Sequence, residues 1–195
     1  MDKYYIVKYS GSFGFIKPWT AVRDSETFSQ QFLTQSIVEG IEKKLFPELL
    51  IKEGIYKIKR HRLSYDQINQ QQEVIQTRGW NTTKKGKEIL FDRPRAILLR
   101  GVLINPVLFL AFAKLEDAEI AMKQHVCLCR NEDILLPIQL MSINQNEFDT
   151  DIESFSGFEL MFENIENSFH VGYDRNSSNA MYGWLKIVGT PVKSF

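Results

Sequence analysis

The sequence predicts an α+β fold, and three observations carry that prediction. Short runs rich in Tyr, Ile, Val, Leu and Phe recur at strand length, the first over residues 3–9. Two other stretches, 34–46 and 116–130, read as helices. A polar stretch, 64–92, is too long for a plain connection between strands. With 195 residues, 44% of them hydrophobic and 25% charged, the chain suits one compact domain or a domain with a small lobe.

Each element follows from local chemistry. Residues 10–20 form a loop carrying Gly11, Gly14 and Pro18. In 34–46, Ser36 and Glu39 match a capping box, Ile37, Ile41 and Leu45 share a face, and Pro47 stops the helix. Residues 55–63 form the second strand. The stretch 64–92 holds a Gln/Asn run and the cluster Lys84, Lys85 and Lys87, and is either disordered or a functional excursion. The apolar run 96–113 is interrupted by Arg100 and by Asn105-Pro106, so it reads as two buried strands around a kink, not as a membrane helix. Strands at 157–162 and 184–188 flank a polar loop, 172–183. The order strand, helix, strand, excursion, strand, helix, strand fits a ferredoxin-like sheet over 1–133, with 134–195 as a C-terminal β extension packed on it. Such a sheet buries one face under its helices and leaves the other for a partner.

The formal net charge is zero, which is unusual for a freestanding nucleic-acid binder. Cys127 and Cys129 are spaced for neither a disulfide framework nor a zinc site, and a reducing, cytoplasmic compartment is the simple reading. No signal-peptide pattern opens the sequence. The zero total is a cancellation. Residues 78–100 hold seven basic side chains (Arg78, Lys84, Lys85, Lys87, Arg93, Arg95, Arg100) against Glu88 and Asp92. Residues 147–166 hold seven acidic side chains and no basic one. In the second strand, Lys57, Lys59 and His61 alternate onto one face and Arg60 and Arg62 onto the other, a row of cations about 7 Å apart. Beside them, Trp80 is placed to stack on a base while the lysines hold phosphates. The acidic stretch reads as solvated surface, or as a dock for a basic neighbour.

Catalytic constellations are mostly missing. His61, His125 and His170 stand in no metal-ligand spacing, and there is no phosphate-cradling glycine loop or nucleophile elbow. No metal or cofactor is expected. His61 with Lys59 is the one pair suited to metal-independent RNA cleavage.

Two segments then resemble the CRISPR-associated Cas-five family of the RAMP superfamily. They are Tyr9-Ser-Gly-Ser-Phe-Gly-Phe-Ile-Lys-Pro18 and Ser36-Ile-Val-Glu-Gly-Ile-Glu-Lys-Lys-Leu-Phe46. The likeness is strongest to the subtype I-C kind, supported by Arg93-Pro-Arg-Ala-Ile-Leu-Leu-Arg-Gly-Val102 and by the run from Pro137 to Glu147-Phe148. The resemblance implies an RRM-like domain that caps the 5′ handle of the CRISPR guide RNA (crRNA). It also implies a thumb, here 64–92, that reaches the backbone (Cas-seven family) subunit. A large subunit or effector nuclease would be a further partner, and target nucleic acid would be met only indirectly. Subtype I-C relatives also cut precursor RNA, with a tyrosine after the glycine helix and a lysine-histidine pair at the second helix. Here Phe46 and Asp117-Ala118-Glu119 stand at those places, which implies a subunit that does not cut. The candidate RNA-binding residues are Lys17, Trp19, Arg23, Lys43, Lys44, Lys57, Lys59, Arg60, His61, Arg62, Arg78, Trp80, Lys84, Lys85, Lys87 and Arg95. Cleavage by His61 and Lys59, and an assembly role without RNA contact, are the alternatives.

Overall fold

The computed structural model describes residues 3–18, 26–77, 79–174 and 177–193. The chain is α+β, mostly antiparallel sheet with few helices, as expected. Its strands are β1 (Lys3–Ser10), β2 (Phe13–Gly14), β3 (Glu26–Phe28), β4 (Ile58–Ser64), β5 (Gln67–Gln76), β6 (Asn81–Lys85) and β7 (Glu88–Asp92). They continue with β8 (Arg95–Ile104), β9 (Val107–Phe112), β10 (Val126–Cys127), β11 (Ile134–Asn144), β12 (Gly157–Met161), β13 (Phe169–Tyr173) and β14 (Ala180–Val188). The helices are α1 (Gln35–Leu45), α2 (Leu115–Ala121) and α3 (Glu147–Thr150).

The main sheet runs β10-β11-β1-β9-β4-β12-β14-β13. Along the chain, β1, α1, β4, β9, α2 and β11 follow one another, and their four strands lie side by side as β11-β1-β9-β4, all antiparallel. One face is buried against the two longer helices. Val7, Tyr9, Leu63, Leu110 and Phe112 meet Val38, Ile41 and Leu45 of α1 and Ala118 and Ala121 of α2. The Tyr9 hydroxyl donates 2.8 Å to the Ala121 carbonyl, which ties β1 to the end of α2. Removing apolar area from water on this face is the main stabilising term.

The other face was expected to be free for a partner, and part of it is not. Ile6, Phe109 and Ala111 lie under Phe148 and Phe155, in and just after α3. Residues 134–195, expected as a β extension packed on the domain, contribute strands to the main sheet itself. β11 pairs with β1 from Asn144↔Lys3 to Leu136↔Ser10, inside the main sheet, and β12 continues the sheet through Phe158↔Leu63.

Several boundaries move for identifiable reasons. The capping box does not form, because the N-cap position is Thr34 and Glu39 binds Lys43 (2.6 Å) and the Gly54 amide (3.0 Å). The second strand begins at Ile58, not at 55. The buried Glu42 carboxylate accepts the amides of Tyr56, Lys57 and Ile58 at 2.8, 2.6 and 2.7 Å and holds them in a turn. The second helix ends at Ala121, well before 130. Val126 and Leu128 are both buried, a period of two that belongs to extended chain. His125 lies exposed in that segment, outside any helix.

The long excursion is ordered. β5 pairs with β8 along its whole length, from Gln67↔Ile104 to Gln76↔Arg95, and β6 and β7 form a hairpin at the tip. Residues 95–104, expected as a strand of the body, are therefore the returning arm of the excursion. The arm is rooted where β2 and β3 pair with the inner half of β8. Gly101 lets the Phe28 ring lie close over β8, and any side chain there would have to displace that ring. Asn105, at φ 49°, turns the chain into β9, the kink expected at Asn105-Pro106. Among the described residues no helix is long and apolar enough to cross a membrane.

Candidate nucleic-acid interface

The tip of the arm gathers cations and aromatics, and among the described residues no ion pair takes up the charge of Lys84, Lys85 or Lys87. Gly86, at φ 64°, makes the turn between β6 and β7. Lys84 pairs across the ladder with Ile89 and Thr82 with Phe91 on one face, and Lys85 with Glu88 and Thr83 with Leu90 on the other. Every residue of both strands is exposed. Trp80 is 61% exposed and the Arg93 guanidinium lies 5.3 Å from its ring. Lys84, Lys85, Lys87, Trp80 and Arg95 therefore share one solvated arm, Arg95 on a strand that was expected in the body. Arg93 is a member of this group that the candidate set omitted. Its place in the basic count was the available signal. Trp19, Arg23 and Arg78 lie outside the described residues.

The cations of β4 do something else. Lys59 is the extra residue of a bulge between Ile58↔Phe112 and Arg60↔Ala111. That bulge breaks the expected alternation. His61 and Leu63 face the helices, while Arg60 and Arg62 face Phe148 on the opposite side. Arg62 has no exposed surface. It binds Glu159 at 3.2 Å, the Phe155 carbonyl at 3.0 Å, and also Asp149 and the Phe148 carbonyl. Arg60 binds Glu159 at 2.5 and 2.7 Å and Asp149 at 3.0 and 3.2 Å. Lys186 reaches Asp149 at 2.9 Å. As phosphate ligands Arg60 and Arg62 are corrected, since both charges are spent on carboxylates inside the fold. The acidic stretch is corrected with them. Glu159 is buried and Asp149 partnered, so neither is plain solvated surface.

His61 is buried and stacked on Phe162 at 5.3 Å, and its Nε2 has no hydrogen-bond partner. Burial pushes its pKa down to about 4, so it is neutral at pH 7. It touches neither solvent nor Lys59, whose ammonium donates 2.7 Å to the Tyr56 carbonyl on the outside. His61 is corrected as an RNA contact.

The remaining candidates are scattered. Lys17 is exposed. Lys43 is paired with Glu39, and the Lys44 ammonium lies 3.8 Å from the Cys127 sulfur. Lys57 binds Glu48 at 2.8 Å and Asp117 at 2.9 Å, and lies 3.9 Å from the Phe46 ring. Phe46, Lys57 and Asp117 are thus neighbours. Phe46 is itself buried against Phe112. Sequence reasoning missed a second cationic group, in which Arg100 and Arg130 lie 4.9 and 5.3 Å from the Phe15 ring. Both are also paired, Arg100 with Glu73 and Arg130 with Asp133 at 2.7 Å. Among the described residues no group of His, Cys, Asp or Glu could hold a metal ion.

This fold has a solved counterpart. The chain superimposes on one described as a "CRISPR RNA-guided surveillance complex", with a TM-score of 0.51 and 12% sequence identity, over 97% of this chain and 90% of that one. At that identity the likeness is one of fold. No family model and no curated protein matches the chain.

Proposed function

We propose that this chain is a subunit of a CRISPR effector ribonucleoprotein that binds the 5′ handle of the guide RNA without cutting it. The observation that carries this reading is the end-to-end fold likeness to a chain of an RNA-guided surveillance complex. The strand order β11-β1-β9-β4 between helices, read as ferredoxin-like, agrees with a RAMP domain of the Cas-five kind. The solvated arm fits the thumb of that family, with Lys84, Lys85, Lys87 and Arg95 for phosphates and Trp80 for a base. The backbone subunit is the neighbour that the Cas-five resemblance implies for this arm.

Three things support a capping subunit that does not cut. Phe46 has no hydroxyl and is packed in the core. Lys57, the nearest cation, is neutralised by Glu48 and Asp117. His61, the one base the sequence offered, is buried and neutral.

The test is binding of repeat-derived RNA carrying an intact 5′ handle, alone and with the backbone subunit. The expected result is a preference over scrambled RNA, with affinity falling as salt rises. Changing Lys84, Lys85 and Lys87 together to Ala should lower the affinity and reduce the slope of log K against log salt by about 2, at ~0.7 per phosphate contact on a single strand. No preference for the handle in either setting ends the reading. Labelled precursor RNA that returns shortened, with the cut lost in Phe46 or Lys57 variants, ends the non-cutting half alone.

A further inference from the structure

We propose that the outer face of α1 takes one unstacked base of the guide's 5′ handle, in a notch at Gly40. The inference rests on the guide-binding reading and adds to it a site outside the arm.

A cavity of about 170 Å³, room for one nucleobase, lies between α1 and the β13–β14 hairpin. Gln35, Ser36, Glu39, Gly40 and Lys43 line it from the helix. Asp174 and Met181 line it from the hairpin. The five helix residues share the face opposite Val38, Ile41 and Leu45, which hold α1 to the sheet. Ser36 and Lys43 flank Gly40 one turn to either side, so the missing side chain opens a notch down to the helix backbone. A Cβ at Gly40 would meet nothing within 4 Å, and the backbone there is helical. Neither packing nor backbone geometry therefore asks for glycine, which is the poorest helix former after proline. What Gly40 provides is the open floor of the cavity.

The lining selects the occupant. It carries two carboxylates, Glu39 and Asp174, against one ammonium, Lys43. That ammonium is already held by Glu39 at 2.6 Å. A phosphate would meet net negative charge here, whereas an uncharged base meets no such repulsion. Asp174 Oδ1 accepts the Ser177 amide and hydroxyl at 2.8 and 2.9 Å, which fixes the far wall. Glu39 Oε1 also accepts the Gly54 amide, at 3.0 Å. Among the described residues no hydrogen bond engages Glu39 Oε2 or the Gln35 side-chain amide, so these two groups remain for the edge of a base. Met181 supplies an apolar, adaptable wall for the ring. Single-stranded RNA is read in this way, by splaying out a base, packing its ring and bonding its edge. Phosphate contacts are left to the lysines of the arm.

The experiment is a binding cycle on repeat-derived RNA with the 5′ handle intact, using the full chain alone and with the backbone subunit. Each handle nucleotide is replaced in turn by an abasic one, and each RNA is titrated with wild type and with Gly40→Leu, which fills the notch. At one position the abasic change should weaken wild-type binding about tenfold or more. At that position Gly40→Leu should be insensitive to the same change, because its base is already excluded. Gly40→Ala should raise the thermal midpoint, since alanine is the better helix former, while lowering handle affinity, so lost binding is not lost folding. Equal handle affinity in wild type and Gly40→Leu overturns the proposal and leaves the guide reading intact. So does a loss spread over all positions with no coupling to one base. A wild type with no preference for the handle ends the guide reading, and this site with it. Should Gly40→Leu fail to fold, Gly40→Ala enters the same cycle in its place.

Discussion

On β4, His61 and Arg62 are adjacent, both buried, and held in opposite charge states. Arg62 stays charged because Glu159 and Asp149 face it and two backbone carbonyls take its remaining protons. His61, on the other side of the same strand, is stacked on Phe162, and burial keeps it neutral. Stability should follow these states with pH. Unfolded histidine titrates near 6.5, while folded His61 resists protonation down to about 4, so between those values the unfolded chain binds the extra proton. Stability is complete above about pH 7 and falls as pH drops from 6.5 to 4, by ~3 kcal/mol in all. Asp149 acts lower. Burial alone would raise its pKa, but hydrogen bonds from Arg60 and Lys186 hold it well below the usual carboxylate range. Its contribution is present above about pH 4 and is lost below that. Urea midpoints measured from pH 8 to 3 should show both phases. His61→Phe should flatten the first and leave the second, and an unchanged first phase would show that His61 is not its source.

Among the elements, the arm and β4 read differently from sequence. The basic cluster at 84–87 was legible because all of β6 and β7 is solvated, so composition alone places its charge outside. Its strands were hidden, because Gln-rich and Lys-rich stretches have little strand propensity, and β5 and β6 form by pairing with β8 and β7. The face assignment on β4 failed at Lys59, where one bulged residue puts Ile58 on the same face as His61 and Leu63. No period-two reading contains that residue's irregularity. The arm also carries a prediction of its own. Thr77 and Pro94 already close the ladder below the tip. Replacing 78–93 with an Asn-Gly turn should therefore leave the thermal midpoint within a few degrees of wild type while removing the tip's share of RNA affinity. A collapse of the midpoint would mean that the tip supports the body.

For the molecule as a whole, the division into a domain and an extension is replaced by one sheet. Glu159 of β12 is the buried counter-charge of Arg60 and Arg62 on β4, and Phe162 is the ring against His61. β11 is paired along β1. A chain cut after Asn144 keeps β11 but strips Arg60 and Arg62 of their carboxylates, uncovers Ile6, Phe109 and Ala111, and exposes the outer edge of β4. We expect that fragment to lose cooperative unfolding and aggregate, as read by circular dichroism during denaturation and by light scattering. A fragment that melts cooperatively near the full chain's midpoint would restore the two-part division.

Local chemistry by itself determined the α+β class, the existence of α1 and β9, the turn at Asn105-Pro106 and the solvated charge of the arm. These depend on neighbours a few residues apart, through side-chain periodicity, proline and composition. Only the tertiary structure decided which charges remain free. Arg60 and Arg62 meet Asp149 and Glu159 from almost a hundred residues away, and no spacing along the chain records that encounter. A sequence shows how many charges a protein carries. Which of them still face solvent depends on long-range pairing, because a buried charge persists only where the fold brings its partner to it.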